Sequence, residues 1–584
     1  TRMMAQYHRA KNLEGSPRLS IEPPSAFFDK AIAEYPEAPR WVGELYFEMH
    51  RGTFTSQAAT KAGNRRCESL LREAETFVVA AHGTQAASTE VLTELDELWK
   101  DVLLHQFHDI LPGSSIGWVH REAADTYARV AEALERVIAA AVAVIRPNRT
   151  TTGAWINPAP VPFRGVVEAP TSATGGADPE PRWMDVGALS VADTLPNLPS
   201  DVTPVTTTRS GDCIVVDNGL IRLTLDASGH ISSLIDLRTG RDAIAPGQVG
   251  GVLQLHPDLP IEYDAWDIED FDVRRPTPID EVDQIVVERS DEFIARVRVE
   301  RSAAPSTFVQ TYVVTAGSAR LDVRCTADWR HRERLLKVAF PLDLHTDSVT
   351  REIQFGQLRT PIHINTSWDV ARFEFCAHRW VHAAEPGFGV SVLNDCKYGY
   401  DAQRTRSTHP DGSTQPSTTI RLSLLKAAIW PDPQQDQGAH EFTYALLVGD
   451  GRLDDGVVVA EGYRLNQPPR LVQVPTLDPA PDGAEISGPI VSCDTPTVIV
   501  EAVKPADDGS GDIVVRCYEA TGGRSSATLV VGVPVSEMQR TDARERPLAD
   551  SNATPVLDGQ VHLELRPFEI ATLRLTRQPD TGGS

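Results

Sequence analysis

The stretch TEVLTELDELWKDVLLHQFHDILPGSS, residues 89–115, decides the helical part of the fold and carries the most informative motif of the chain. Its apolar residues recur every three or four positions, which predicts an amphipathic helix. A Pro-Gly pair interrupts the pattern just after His108 and Asp109. An imidazole beside a carboxylate at a helix end can bind a metal, hold a polar ligand or transfer a proton. The alternative is that His108 only stabilises the helix C-terminus.

Two further helices are predicted around this one. A helical pattern begins near Ser56 and continues to residue 78, and another spans about 115–145. Three long helices with short connections are typical of a helix bundle. Before them, residues 41–55 alternate in polarity, which predicts a strand and a loop.

After residue 150 the sequence changes to short β-type runs separated by Pro, Gly, Asp and Asn. This spacing favours antiparallel β-sandwiches over βαβ units. The predicted strands include Cys213–Val216, Leu220–Leu225, Phe308–Val314, Arg320–Cys325, Leu336–Phe340, Ile420–Leu425, Phe442–Leu447 and Val498–Val500. Segments 170–210 and 465–490 are rich in Pro and polar residues, and we expect a loop and a linker there.

The composition of the 584 residues limits which partners and which compartment suit the protein. The formal net charge of −25 argues against a nucleic acid or an anionic membrane as partner. No apolar run reaches the roughly 18 residues that cross a bilayer. The seven cysteines are scattered and form no CxxC pair, which is typical of free thiols in a reducing compartment, so we expect a cytoplasmic protein.

Two other segments could carry chemistry. Residues 262–267 (EYDAWD) combine aromatic rings with carboxylates, and this mixture suits sugars, although the segment could equally be an exposed loop with one anchoring Trp. Glu44 and Glu48 resemble the carboxylate pair of a glycosidase. The simpler interpretation, which we favour, is that they are ordinary charges at a domain junction.

The same segments resemble glycoside hydrolase family 38, and most closely its cytosolic and vacuolar α-mannosidases with their bacterial relatives. The matching motifs occur in one order over nearly the whole chain: GELYFEMHRGTFTSQ (43–57), LLHQFHDILPGSSI (103–116), EYDAWDIED (262–270), NTSWDVARFEFCAHRW (365–380), VLNDCKYGY (392–400) and PDPQQDQGAHEFTYAL (431–446). INPAPVPFRG (156–165) and LRPFEIATLRL (565–575) resemble the family's first β-segment after the bundle and its closing strand.

The resemblance implies a multidomain α+β protein with a remnant of an α/β-barrel, a three-helix bundle and several antiparallel β-sandwiches. It implies a retaining α-mannosidase that releases terminal α-D-mannosyl residues from oligosaccharides. Zinc, with cobalt as the alternative ion, would bind His108. Asp109 would hydrogen-bond mannose hydroxyls, and Asp264 and Trp266 would line the sugar site.

The family's nucleophile, acid and remaining metal ligands lie in a part of the barrel that precedes the position matched by Thr1. We therefore expect no catalytic residue in this chain, which would be inactive alone, and we expect zinc to bind only with ligands from upstream. Two alternatives stay open. One is a non-catalytic glycan-binding β-sandwich protein, and the other is a hydrolase of a phosphorylated or glycerate-linked mannoside. The oligomeric state is left open between a monomer and a homo-oligomer.

The predicted organisation has five segments. These are a barrel remnant (1–50), the three-helix bundle (51–147), a small β-segment with a loop (148–210), a large β-sandwich (211–464), and a linker with a terminal small β-sandwich (465–584).

Overall fold

The computed structural model describes residues 2–42, 44–82, 87–146, 153–169, 179–192, 195–409, 411–475 and 488–578. The chain divides into two compact units, Thr1–Phe47 and Glu48–Ser584. The first unit holds helices α1 (Arg2–Ala10) and α2 (Pro24–Glu34), and no residue of either helix is buried. The strand predicted within 41–55 is absent from the described residues there.

The second unit begins with helices. A short 3-10 helix (Arg51–Phe54) precedes α3 (Ala58–Ala81), α4 (Thr89–Leu104) and α5 (Gly117–Ile145), and three shorter helices follow: α6 (Asp270–Val273), α7 (Ser367–Ala371) and α8 (Val457–Asn466). The Ser88 side chain accepts a hydrogen bond from Val91 N at the start of α4. Among the helices of the described residues, none combines the length and the apolar character that a bilayer span requires.

Helix α3 begins with a cap that comes from a distant part of the chain. The Asp436 carboxylate accepts hydrogen bonds from Gln57 N at 3.1 Å and from Ala58 N at 2.8 Å. These amides are among those that a helix start leaves without a partner inside the helix. The bundle is therefore attached to the β-region at the first turn of α3.

The rest of the unit is β-structure. The strands up to residue 303 are β1 (Gly153–Asn157), β2 (Phe163–Ala169), β3 (Glu180–Val186), β4 (Ser190–Ala192), β5 (Thr206–Ser210), β6 (Cys213–Asp217), β7 (Ile221–Leu225), β8 (Ile231–Asp236), β9 (Arg241–Asp242), β10 (Val252–Pro257), β11 (Thr277–Pro278), β12 (Gln284–Ser290) and β13 (Ile294–Ala303). Those up to residue 449 are β14 (Ser306–Thr315), β15 (Arg320–Trp329), β16 (Arg334–Leu342), β17 (Ser348–Ile353), β18 (Gly356–Pro361), β19 (Phe375–Cys376), β20 (Trp380–Glu385), β21 (Phe388–Asn394), β22 (Gly399–Thr408), β23 (Thr414–Lys426) and β24 (Gly438–Gly449). The last are β25 (Arg470–Gln473), β26 (Val491–Cys493), β27 (Val498–Pro505), β28 (Ile513–Glu519), β29 (Ser525–Val531), β30 (Val535–Thr541), β31 (Thr554–Pro555), β32 (Gln560–Leu565) and β33 (Ile570–Arg577).

These strands form antiparallel sheets around two main cores. A nine-stranded sheet (β12-β13-β14-β15-β24-β21-β20-β17-β18), a six-stranded sheet (β11-β10-β16-β23-β22-β19) and a five-stranded sheet (β5 to β9) share the larger core. The second core joins the helix bundle to the terminal sandwich, whose sheets have the orders β27-β28-β33-β30-β31 and β26-β29-β32. Strands β25-β1-β4 and the β2-β3 hairpin complete the fold. The multidomain α+β architecture with β-sandwiches agrees with the expectation from the sequence.

The loop prediction for 170–210 is wrong in part. Strands β3, β4 and β5 lie there, and residues 170–178 and 193–194 are outside the described residues. Strand β3 forms because its Trp183 and Met184 side chains are buried. The sequence predicts a loop there because Pro and Gly residues surround these two apolar residues. Part of the predicted linker, 476–487, also lies outside the described residues.

The turn that follows α4 is held by a buried cation. The Lys61 ammonium donates hydrogen bonds to the backbone oxygens of Ser56, Leu111 and Pro112 at 2.5, 2.9 and 3.2 Å. Lys61 is 4% exposed, and desolvation by burial lowers its pKa to about 7. One side chain therefore joins the start of α3 to the turn at 105–113, which carries His108 and Asp109.

A glycine allows the close approach of these two segments. Gly113 has a φ of +87°, and a Cβ atom there would overlap the backbone oxygen of Ser56. Only a residue without a side chain avoids both the left-handed strain and the overlap. The Pro-Gly pair that interrupts the helical pattern is thus a packing requirement of the turn.

We predict that Gly113→Ala destabilises the protein more than Gly240→Ala. Gly240 also has a positive φ, +71°, but no atom lies within 4 Å of its added Cβ. The control substitution should cost only the left-handed strain, about 1 kcal/mol. Gly113→Ala should cost about 1–3 kcal/mol more because of the overlap with Ser56. Equal melting temperatures of the two variants would contradict this account of the turn.

We predict that Lys61→Met loosens the turn in a pH-dependent way. The folded pKa of Lys61 is about 7 against an ordinary value of 10.5, so between these values the unfolded chain binds more protons at this residue. The free energy of unfolding of the wild type should therefore rise with pH across that window relative to the variant.

The measurement is thermal melting at about pH 6 and about pH 9, with amide hydrogen exchange of residues 109–114. Lys61→Met should melt lower than the wild type, with a deficit that grows at the higher pH, and should exchange faster in the turn. Lys100→Met, which removes an exposed lysine of α4, is the control. A deficit that is independent of pH would exclude the proposed titration of Lys61.

Candidate functional site

The turn at 105–113 places His108 and Asp109 at the surface. Helix α4 ends at Leu104, so both residues lie in the turn and not at the end of the helix. The His108 side chain is 76% exposed, and its Nε2 lies 3.2 Å from Asp109 Oδ2. Asp109 Oδ1 accepts a hydrogen bond of 2.8 Å from Ser114 Oγ. Both groups therefore face outward with a fixed relation to each other.

His108 and Asp109 do not by themselves fit a zinc ion. A protein zinc site has three or four protein ligands. The described residues contain no group of three or more His, Cys, Asp and Glu side chains arranged to hold a metal. The pair could contribute one or two donors to such a site but could not complete it.

The loop at 262–267 carries the other two predicted residues. Trp266 is half-buried, and its ring lies 6.3 Å from the exposed ring of Tyr263 in an edge-to-face arrangement. Asp264 Oδ2 accepts hydrogen bonds from the amides of Ile429 and Trp430 at 2.6 and 3.0 Å. One oxygen of Asp264 is therefore used to fix a neighbouring loop, which its local sequence does not indicate.

Trp430 is a site residue that the sequence analysis missed. Its ring is 56% exposed and lies 5.4 Å from the Trp266 ring at an interplanar angle of 34°. The two rings form a nearly continuous apolar surface. The only signal was its position directly before the PDPQQDQ motif, and nothing local to residue 430 indicates a contact with residue 266.

The segment at 51–56 brings the turn and the loop together. Gly52 N donates to Trp266 O at 2.7 Å, and Ser56 Oγ donates to Ala265 O at 2.6 Å. The opposite side of Ser56 contacts Gly113 of the turn. The turn and the loop therefore both contact the same short segment, in which Ser56 is fully buried.

Arg51 supports the loop from beneath. It is buried, with Nη1 donating to Asp267 Oδ1 at 3.0 Å and with Nε and Nη2 donating to Ala371 O at 3.0 and 2.9 Å. The guanidinium also lies 4.6 Å from the centre of the Phe373 ring. The local sequence does not indicate that Arg51 is buried or that it contacts residues 267 and 371.

The surface around these groups is rich in exposed apolar side chains. Those on the segments described above are Leu103, Leu104, Phe107, Ile116, Trp118, Leu259, Ile261, Tyr263, Ile429 and Trp430. The rings of Trp266 and Trp430 can pack on the apolar face of a sugar, and carboxylates such as those of Asp109 and Asp264 can accept hydrogen bonds from its hydroxyl groups. The arrangement provides recognition chemistry, and it lacks a complete metal site.

Comparison with known proteins identifies the family. Residues 48–145 match the alpha mannosidase middle domain. Residues 216–434 match the glycosyl hydrolases family 38 C-terminal domain, and residues 497–573 match the family 38 C-terminal beta sandwich domain. The bundle and both main β-regions are thus assigned to one family.

Individual proteins give the same result. The chain is 32% identical to Alpha-mannosidase 2C1 of Homo sapiens, covering 99% of this chain and 54% of that protein. It is 30% identical to Alpha-mannosidase of Saccharomyces cerevisiae, covering 92% of this chain and 49% of that protein. The chain spans about half the length of the curated relatives that it matches.

A solved structure supports the fold. The crystal structure of an alpha-mannosidase from Enterococcus faecalis V583 has a TM-score of 0.67 at 15% sequence identity, over 94% of this chain and 72% of that one. At this identity the likeness concerns the fold. From the matched domains and the relatives together, this chain belongs to glycoside hydrolase family 38.

Proposed function

We propose that the chain forms the substrate-recognition half of a retaining α-mannosidase that releases terminal α-D-mannosyl residues from oligosaccharides. The observation that carries the proposal is the convergence of the turn at 105–113 and the loop at 262–267 on Ser56. The turn carries Asp109 and the loop carries Asp264 and Trp266, on a chain of family 38.

We assign a separate role to each group. Asp109 accepts hydrogen bonds from mannose hydroxyls, and Ser114 Oγ holds its carboxylate in place. Trp266 and Trp430 pack against the apolar face of the sugar ring. Asp264 orients Trp430 through the backbone of 429–430, and its second oxygen is directed to the sugar.

The metal is zinc, with cobalt as the alternative, and His108 supplies one ligand. The exposed imidazole has the donor chemistry that zinc uses. Its remaining ligands, together with the nucleophile and the acid, come from outside the groups described above. We therefore infer that this chain does not hydrolyse mannosides alone.

The organisation and the setting follow from the same proposal. The five segments 1–50, 51–147, 148–210, 211–464 and 465–584 are retained as domain assignments.

A cytoplasmic location is supported by seven free cysteines. A mannose-containing oligosaccharide is the substrate. Neither a nucleic acid nor a membrane is a partner, in keeping with the net charge of −25.

We predict that Trp266→Ala weakens the binding of methyl α-D-mannopyranoside to the chain about tenfold, because the apolar face of the sugar loses its contact surface. Trp266→Phe should retain most of the affinity, since a ring remains at that position. The measurement is a calorimetric titration of the three proteins. If Trp266→Ala binds as the wild type does, this loop is not a wall of the sugar site.

We predict that His108→Ala loses zinc and mannosidase turnover together. The experiment uses a protein in which this chain is joined to the remaining length that its relatives have. Zinc content is measured by elemental analysis and turnover with 4-nitrophenyl α-D-mannopyranoside. His562→Ala, at an exposed histidine of the terminal sandwich, is the control and should change neither.

Retained zinc in His108→Ala would exclude the ligand assignment. An inactive wild-type protein that still binds the mannoside would favour the non-catalytic alternative. Hydrolysis of only a phosphorylated mannoside would favour the other alternative. That substrate needs a free cation at the sugar face, whereas Arg51, close beneath the loop, is bound to Asp267 and Ala371.

A further inference from the structure

A cavity lies against the turn at Leu111 and Pro112, and His108 and Asp109 are not part of its lining. Its volume is about 440 Å³, within the range of small-molecule sites. Helix α3, the large sandwich and the terminal sandwich all contribute to its wall, and its apolar lining includes Phe54, Leu111, Phe355, Tyr398 and Tyr518. We call it the rear cavity.

Arg65 brings a buried positive charge to the rear cavity without a carboxylate partner. The residue is 8% exposed. Within the described parts of the chain its guanidinium donates only to neutral acceptors: Tyr398 OH, Asn394 Oδ1, Asn466 Oδ1, His378 O and Lys397 O, at 3.0 to 3.3 Å. Buried charges are usually paired with an opposite charge, whereas the charge of Arg65 is compensated only by the dipoles of its hydrogen-bond partners.

Lys61 adds a second basic group to the cavity lining, and it donates to three backbone oxygens and to no carboxylate among the described residues. The effect of the local charge is visible at His378, another lining residue. Burial lowers the pKa of His378 to about 3, and the neighbouring guanidinium of Arg65 acts in the same direction. The basic side chains of the lining outnumber its carboxylates: they are Lys61, Arg65, Arg72 and Arg379, against Glu68 and Glu501.

The rear cavity also has polar groups that are available to a ligand. Arg72 forms an ion pair with Glu501 through Nη1, while its Nε and Nη2 have no acceptor within the described part of the chain. Gln467 Oε1 is buried and likewise has no hydrogen-bond partner among the described residues. The Tyr518 ring lies 5.5 Å from the Phe355 ring, edge to face, and provides an apolar wall.

We propose that the rear cavity binds a small organic anion, a carboxylate on a flat apolar body. The carboxylate meets the free N–H groups of Arg72 in the field of Arg65 and Lys61. The apolar body packs against the aromatic wall. Such a ligand supplies a negative charge near Arg65, whose acceptors among the described residues are all neutral.

The site is separate from the sugar surface but shares the turn with it. Leu111 and Pro112 line the rear cavity, and Lys61 donates to the oxygens of both. A bound anion therefore stabilises the segment that carries His108 and Asp109. This coupling gives a second readout that is independent of catalysis.

The experiment is a calorimetric titration of the complete chain with benzoate. Saturable binding with a Kd of about 1 mM or below is expected, and Arg72→Met should raise the Kd about tenfold because it removes the donor group. Arg136→Met, at an exposed arginine of α5, removes the same charge elsewhere and should leave the Kd unchanged. Benzoate should also slow amide exchange of residues 109–114.

Three results would overturn the proposal: no saturable binding of benzoate up to about 10 mM, equal affinity for the uncharged analogue benzyl alcohol, or equal Kd values for Arg72→Met and Arg136→Met. If Arg72→Met fails to fold because Glu501 loses its partner, the double variant Arg72→Met/Glu501→Gln removes both charges. The side chain at position 501 can then still accept a hydrogen bond from Tyr463 OH, and the double variant should show the same loss of benzoate affinity.

Discussion

The contact between the Lys61 ammonium and three backbone oxygens is the interaction on which the candidate site depends. Lys61 lies one turn into α3, and it joins the start of that helix to the turn after α4. The start of α3 is itself fixed to the β-region by Asp436. The position of Asp109 relative to the sandwich is therefore determined through helix α3. A purely apolar contact at the same place would leave three buried carbonyl groups without donors.

The cost of this arrangement is the burial of a charge. Desolvation lowers the pKa of Lys61, and it raises the pKa of Asp436, the carboxylate that caps the same helix. At each of these two positions, burying an apolar side chain would cost less free energy than burying the charged group. Functional surfaces are places where such a cost is accepted. In this protein the benefit is the fixed orientation of a polar turn.

Much of the fold follows from periodicity. Leu95, Leu98 and Val102 of α4 are buried as the helical spacing requires, and the strands predicted from β-type runs are present. Two features that local patterns did not indicate share a physical cause. Trp183 of β3 is buried in one cluster with Ile294 and Val313, and the buried Arg51 bonds to Asp267 and Ala371. These partners are far away in the chain, and local patterns carry no information about them.

The candidate site was predictable only as separate pieces. His108, Asp109, Asp264 and Trp266 stand out because their residue types suit the chemistry of sugars and metals. Their assembly depends on Ser56 and Gly52, which have no such chemistry and contribute through backbone geometry. The Trp430 ring completes the aromatic surface because Asp264 fixes the backbone next to it. A carboxylate chosen as a sugar ligand is thus also part of the scaffold.

The turn has an exposed pair of polar side chains and also borders a cavity rich in basic groups. His108 and Asp109 lie at the surface, whereas the rear cavity is lined by Lys61, Arg65, Arg72 and Arg379 together with the carboxylates of Glu68 and Glu501. Basic residues are outnumbered in this chain, with 56 Lys and Arg against 81 Asp and Glu. Concentrating several of them in one buried cavity opposes the average tendency of cations to lie at the surface, where water solvates them. An acidic protein gains no solubility from buried cations, so their grouping is explained by what they hold: the backbone of the turn on one side and, in our proposal, an anion on the other.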